Sequence, residues 1–398
     1  MQVPWALQAG AFAWLVGGCR APTSEIASII SDSAGVSIIT IQSLPSLDDP
    51  GFLWEVDTIR EIPLDRGLFA APILYRPQNM ARFPDGTIVV NDQSGEFRIA
   101  VIDAVRDSVT ARFAPSGSGP GEIRGFAYIW PGREATIWVM DFGNARLSRF
   151  RLDGRLELEQ SMIGSARGTL GLKLRPEPPR LFVHQWFPSQ APDTRAFLDT
   201  LRFLDETTGT YHTVIPLPRQ PGPQSSYKQL SPRVIFAPLP TGIVSGTTHG
   251  AEFLVHDDAG LLLRTIRLPF TLRESSEADI PAYLEDMRSL PELRSVAASS
   301  VELYPTYPLA YDLFVVDDST FGVLMTGRHR PAEDPPMTLG DAAMRLLTID
   351  GRYRGVIDLP PAFYPLWMAD NRALGTTSDS TGSQTILELR FREPMTRR

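Results

Sequence analysis

The sequence predicts an all-β fold, a six-bladed β-propeller closed by an N-terminal strand, on three observations. Short β-rich segments recur at 88–92, 137–141, 181–185, 243–247, 322–326 and 373–377. Their spacing approaches the period of about 40 to 50 residues for a four-stranded blade once insertions are allowed. Each is followed, after a turn or loop, by a second alternating segment, at 97–103, 145–152, 199–205, 251–257, 344–350 and 384–391. Finally, 31 Gly and 35 Pro in 398 residues favour many turns over long helices.

A third segment follows in five units, at 108–113, 155–160, 211–217, 261–268 and 353–359. Turns such as Asp153-Gly154 and Asp350-Gly351 supply the positive φ a tight hairpin requires. The sixth unit has no such partner before the end of the sequence, and the strand-like run 54–59 is expected to supply it, removing an open sheet edge. Innermost strands are expected near Met80, Tyr128, Leu174, Ile235, Tyr311 and Leu366. The stretch 274–298, rich in Glu, Ala, Leu and Arg, reads as a short helical insertion between the fourth and fifth blades. A β-sandwich would need no such period, and an α/β fold would need a helix between successive strands.

Composition excludes several function classes. A net charge of −8 speaks against a nucleic-acid partner. One Cys excludes a disulfide framework and a thiolate metal cluster, and the five His show no H-E-x-x-H pair.

From residue 3 to 18 the chain is apolar apart from Gln8, too short to span a bilayer but suited to a secretory leader. It ends in Leu15-Val16-Gly17-Gly18-Cys19, which resembles a bacterial lipobox, although no Lys or Arg precedes Arg20. The alternative is a buried Cys closing an ordinary apolar segment. The expected organisation is a lipoprotein signal peptide over 1–18, a lipid-anchored tether over 19–50 and the propeller over 51–398. Residues 35–41 are apolar enough to dock as a short strand. Arg20 after the lipidated Cys19 implies, by analogy with lipoproteins, an outer-membrane or periplasmic-face location in the cell envelope.

The run Gly117-Ser118-Gly119-Pro120-Gly121-Glu122-Ile123, followed by 137–150 with Asp141, Asn144, Arg146 and Phe150, resembles the G-x-G-P-G-E-F and V-x-D-x-x-N-x-R motifs of NHL-type six-bladed propellers. Asp32 to Val36 is similar to the entry segment of bacterial six-bladed propeller lipoproteins, NHL-like or TolB-like and of unassigned function. The motifs match in the first two blades and only the period matches in the others. On physical grounds the glycines form a compact turn, since the spacing fails for a phosphate cradle. Asp141 and Asn144 bond the turn backbone or a ligand, and carboxylate partners are expected for Arg146 and Arg149.

The loops 185–196, 216–232, 274–298 and 326–341 are long and are expected on one face, which is therefore the candidate ligand face. Arg328, His329 and Arg330 either pair with Glu333 and Asp334 or bind an anion. Trp186 offers a stacking surface with Arg195 in the same loop, or a lid over the core edge. No cofactor is expected. Lactonase-type and amidating-lyase-type propellers hold an axial metal, but the place where the lyases carry a His is Ala145 here. Asp92 and Asp141 are the weak candidates for a Ca²⁺ site. The expected function is a lipid-anchored binding or interaction module for a small anionic or carbohydrate ligand or an envelope protein. A metal-assisted hydrolase or lyase is the alternative and a structural envelope scaffold the third reading.

Overall fold

The computed structural model describes residues 26–46, 49–64, 77–92, 96–103, 105–125, 127–161, 169–176, 179–188, 197–205, 210–216, 228–229, 232–281, 302–325, 343–361, 363–378 and 384–394. Among them the chain is all-β, apart from a 3-10 turn at Glu277–Asp279 that runs into helix at residues 280–281, where the expected helical insertion begins. The remainder of the expected insertion, beyond residue 281, lies outside the described residues, as do the leader and Cys19.

Antiparallel four-stranded meanders repeat along the chain. Sheet 1 holds Pro77–Arg82, Ile88–Asp92, Phe97–Ile102 and Val109–Pro115; sheet 2 holds Ala127–Pro131, Thr136–Asp141, Arg146–Arg151 and Leu156–Ser161. Sheet 3 holds Thr169–Pro176, Pro179–Pro188, Phe197–Asp205 and Thr210–Pro216; sheet 4 holds Val234–Leu239, Gly242–Thr247, Glu252–Asp257 and Leu262–Arg267. Sheet 5 holds Ala310–Asp317, Thr320–Met325, Ala343–Thr348 and Tyr353–Asp358. Sheet 6 joins Tyr364–Ala369, Arg372–Ser378 and Gln384–Arg392 to Glu55–Pro63, which pairs antiparallel with the last of these from Thr385↔Pro63 to Arg392↔Glu55. A two-stranded parallel pair, Lys228–Gln229 with Glu302–Leu303, stands apart.

The second strands read as continuous apolar runs because both faces are covered. Ile88–Asp92 and Thr136–Asp141 are buried at every position. Sheets 1 and 2 share a core through Val89, Ile99, Phe113, Ile129, Ile137 and Phe150, and sheets 4 and 5 pack through Phe253 against Phe321, with ring centroids 6.2 Å apart. Sheets 5 and 6 meet through Leu324, Met344, Leu387 and Leu389, while Leu374, Ile386 and Ile62 of sheet 6 pack on Met80, Ile88 and Val90 of sheet 1. The first strands of successive sheets touch from sheet 1 through sheet 6, and that of sheet 6 touches that of sheet 1.

Within the segment expected to be a tether, described residues form strands, and the run 35–41 docks as expected. Ser28–Ser33 and Val36–Ile41 form a hairpin, and the second of these pairs parallel with Leu262–Arg267, extending sheet 4 to six strands. Burial explains the docking, since Ile39 and Ile41 are 4% and 1% exposed within the core shared by sheets 4 and 5. The chain then crosses sheet 5, where Trp54 N donates to Val356 O at 2.9 Å and Val356 N to Phe52 O at 2.8 Å. Gly355 (φ +136°) permits this crossing, because a Cβ there would collide with Phe52 O and lie 2.9 Å from the Trp54 ring. The N-terminal segment thus straps sheets 4 and 5 before completing the four strands of sheet 6.

Candidate functional site

The first strands begin close to one another. Asn91, near the end of the second strand of sheet 1, donates from Nδ2 to Ala127 O at the start of sheet 2 (2.5 Å). The start of sheet 5 is tied to sheet 4 in the same way: Ala310 N donates to Thr248 O at 3.1 Å, and Thr248 N to Arg233 O at 2.8 Å. Each first strand carries a polar or aromatic side chain in or beside its apolar run: Asn79, Tyr128, Lys173, Arg233, Asp312 and Tyr364. Alternation along a strand aims these residues away from the core-facing neighbours Met80, Ile129, Leu313 and Val234.

Lys173 reaches past sheet 4 to sheet 5, donating from Nζ to Asp312 Oδ1 at 2.7 Å and to Leu313 O at 2.6 Å. Its ammonium lies over the rings of Phe314 (5.1 Å) and Phe236 (5.8 Å). Asp312 Oδ1 also accepts from Leu313 N at 2.8 Å, so this oxygen is engaged twice. Asn79 Oδ1 accepts from Ile129 N at 2.6 Å and joins sheets 1 and 2 at the same end. Tyr128 stacks on Trp130 at 5.9 Å and meets Phe142 edge-on at 5.8 Å.

Tyr364 keeps 45% of its surface accessible. Even so, desolvation by surrounding protein raises its phenol above the ordinary value, as does the negative charge of Asp312, against the opposing pull of Arg233. The Tyr128 phenol is raised by the same causes in the same order. Both phenols therefore stay protonated beyond about pH 10 and act as donors. Arg233 is exposed, its backbone N–H donates to Thr248 Oγ1 at 3.0 Å, and its guanidinium has no hydrogen bond or ion pair among the described residues. His249 is held neutral at pH 7: burial lowers its pKa, and its nitrogens engage Thr306 O (2.9 Å) and Thr248 Oγ1 (3.1 Å).

These shifts carry a testable sign. A phenol whose folded pKa exceeds its unfolded value stabilises the fold below about pH 10, and that contribution is lost as pH rises through the folded pKa. Tyr307, pushed up to about 12 by burial and by Asp279, acts in the same direction. Ultraviolet titration should show late-ionising tyrosines, and the melting temperature should fall from pH 10 towards 12. Substituting Leu for Tyr128 should remove one late-ionising group.

The residues singled out from the sequence are distributed differently. Arg195, Arg328, His329 and Arg330 lie outside the described residues. Trp186 belongs to the strand Pro179–Pro188, paired opposite Asp199, rather than to a loop, because strand pairing in sheet 3 continues to Pro188. Asp141 serves the turn: Oδ1 accepts from Gly143 N and Asn144 N (2.9 and 3.3 Å), and Oδ2 from Arg124 N and Asn144 Nδ2 (3.0 and 2.7 Å). Asp92 is 2% exposed and engaged by its surroundings. Among the described residues, no three His, Cys, Asp or Glu are placed to share a metal ion. The Gly117–Ile123 loop is a pinned turn, in which Gly119 N donates to Glu122 Oε2 (2.6 Å) while Asn144 Nδ2 and Arg146 Nη2 donate to Gly117 O and Ser118 O (2.9 and 3.0 Å). Arg146 and Arg149 pair with Glu159 and Glu157 at 2.8 and 3.2 Å.

Met80, Tyr128, Leu174, Ile235, Tyr311 and Leu366 do lie in the first strands of the six sheets, but the polar side chains of those strands were not among the residues singled out. The available signal was a charged residue, Lys173 or Asp312, flanked by apolar residues within a first strand.

No protein-family model and no curated protein matches the sequence. Among the described residues no helix is long and apolar enough to cross a membrane. Solved structures do resemble it. A member of the DUF4221 family from Bacteroides vulgatus is 13% identical, with a TM-score of 0.55 over 87% of this chain and 100% of that one. A Bacteroides fragilis protein described as exported is 9% identical, with a TM-score of 0.50 over 89% and 99% of the two chains. Virginiamycin B lyase from Staphylococcus aureus is 9% identical, with a TM-score of 0.44 over 84% and 99%. With its repeated four-stranded sheets, the chain is thus similar to β-propeller proteins in fold.

Proposed function

We propose that the protein is an envelope-anchored, six-bladed β-propeller binding module. In this reading sheets 1 to 6 are the blades, Glu55–Pro63 closes the ring, and the ligand site is the axial mouth lined by Tyr128, Arg233, Asp312, Lys173 and Tyr364. Contact between the first strands of sheets 6 and 1 supports the ring. The carrying observation for the site is the exposed Arg233 guanidinium, which has no hydrogen bond or ion pair among the described residues, at the end where the first strands of the sheets meet. Binding is favoured over hydrolysis by the state of these groups. Asp312 Oδ1 is engaged by Lys173, His249 is neutral with both nitrogens occupied, and the raised phenols stay protonated at neutral pH, so the described mouth is richer in donors than in groups ready to take a proton. Calorimetry with a panel of small anions and sugars tests the reading. Saturable binding that is weakened by Arg233→Gln supports it, and binding indifferent to that substitution moves the site elsewhere.

Anchoring rests on the apolar leader and the lone Cys19. Cys19→Ala should move the protein from the membrane pellet to the soluble fraction without altering its unfolding temperature. Unchanged membrane association would reject a lipid anchor.

A further inference from the structure

We infer that the outer edge of sheet 4 is a dimer interface, at which Ser28–Ser33 pairs antiparallel with the same strand of a second copy about a two-fold axis through Ile30. The inference is independent of the mouth and of its ligand. Three observations carry it.

The edge itself comes first. Ser28–Ser33 is exposed at every position, with Ile29 and Ile30 53% and 71% accessible, and among the described residues no strand pairs with its far side. Other outer strands are protected. Those of sheets 2 and 6 carry Glu157 with Glu159 and Glu55 with Asp57, and that of sheet 5 is covered where Val356 bonds Phe52 and Trp54. Charge and cover keep an edge from pairing, and Ser28-Ile29-Ile30-Ser31 has neither. It also stands clear of the body, because sheet 4 has two strands more than the four-stranded sheets and extends about 10 Å further at the usual strand spacing.

Backbone polarity comes second. Gln42 N donates to Ala27 O at 3.0 Å, and bonded pairs alternate along an antiparallel hairpin. Ile29, Ser31 and Ser33 therefore turn their N–H and C=O groups to Val36–Ile41, while Ser28, Ile30 and Asp32 turn theirs outward. A two-fold axis through Ile30 matches these outward groups with one another. Ile30 meets Ile30 of the second copy and Ser28 meets Asp32, with two hydrogen bonds in each such pair.

The third is what the side chains meet. Phe253, Ile266, Ile39 and Ile30 are successive cross-strand neighbours on one face of sheet 4; the first three are buried and the row ends on the exposed Ile30. A two-fold axis perpendicular to the sheet keeps that face on the same side in both copies, so the row continues through Ile30 of the second copy. The one charge of the strand, Asp32, faces a serine, and its Oδ1 already accepts from Gly35 N at 3.2 Å in the hairpin turn. No like charges are opposed. Self-pairing of Leu156–Ser161 about Leu158 would instead set Glu157 against Glu159, which is destabilising. The charge pattern thus suits the edge of sheet 4 to a second copy of itself, in an isologous contact.

The experiment is sedimentation equilibrium of the full chain in density-matched detergent across micromolar concentrations. The mass of two chains is expected. Ile30→Lys, which opposes two ammonium groups across the axis, should weaken the dimer at least tenfold. Ile30→Pro should do the same, because it removes an outward N–H without breaking a hairpin bond, and edge strands tolerate proline. Circular dichroism of both variants should match wild type. Mixing Ile30→Lys with Ile30→Glu should give a dimer at least tenfold tighter than either variant forms alone, since the opposite charges then face each other. Leu158→Lys, on the edge of sheet 2, should leave the dimer unchanged. A chain that is monomeric throughout, a dimer indifferent to Ile30→Lys, or a mixture that stays dissociated would overturn the inference. A monomer whose binding to phosphatidylcholine vesicles is weakened by Ile30→Lys would overturn it too, by making the edge a membrane contact.

Discussion

Removing residues 1–63 should leave a chain that no longer unfolds cooperatively, as judged by a lost thermal transition and rapid proteolysis. The segment contributes the fourth strand of sheet 6, and its loss would bare the whole edge of Gln384–Arg392. It also removes Trp54 and Ile62, both 3% exposed, from two core clusters, and Ile39 and Ile41 from a third. Trp54 alone carries much of this. Its ring packs with Leu346, Ile357 and Phe391, Nε1 donates to Arg354 O at 3.1 Å, and the Arg354 guanidinium lies 5.1 Å from the ring centroid. Trp54→Ala should therefore cost about 3–5 kcal/mol in urea unfolding, the usual range for a buried aromatic. A cost below about 1 kcal/mol would mean that the strap is dispensable.

Glu388→Ala should be comparably damaging. The carboxylate is 4% exposed and accepts from Arg82 Nε of sheet 1 at 2.6 Å and from Arg372 Nη1 of sheet 6 at 2.9 Å. It therefore sits at the junction between the first and last sheets of the repeat. Two mostly buried guanidinium groups would lose their counter-charge, a change that typically costs about 3–5 kcal/mol because the remaining charges are desolvated without compensation. Adding Arg82→Met should recover part of the loss, since one of the stranded charges is removed. Little effect from Glu388→Ala, or a further loss with Arg82→Met, would show that the junction is solvated and not held by this ion pair.

The strand repeat was legible because second strands such as Ile88–Asp92, Thr136–Asp141 and Thr320–Met325 are buried at every position and so appear as apolar runs at a regular interval. The turn formed by Asp141, Asn144 and the Gly117–Ile123 loop was legible for a related reason: short polar side chains beside glycine bond their own backbone. Docking of Val36–Ile41 on sheet 4 was half visible. The apolar pattern marked a strand, but its partner Leu262–Arg267 is more than 200 residues away, and no local signal encodes that distance. The mouth was illegible for the same reason. Tyr128, Arg233, Asp312 and Tyr364 come from four sheets, and only the packing of those sheets brings them within each other's fields. The long loops around Arg328, where charge is dense in sequence, lie outside the described residues.

The most direct measurement is a crystal structure of the protein soaked with the small anions and sugars of the calorimetric panel. It should show six four-stranded blades around one axis, with a bound anion within hydrogen-bonding distance of Arg233. An anion seated at Arg328 and Arg330, or first strands that enclose no common mouth, would contradict the account.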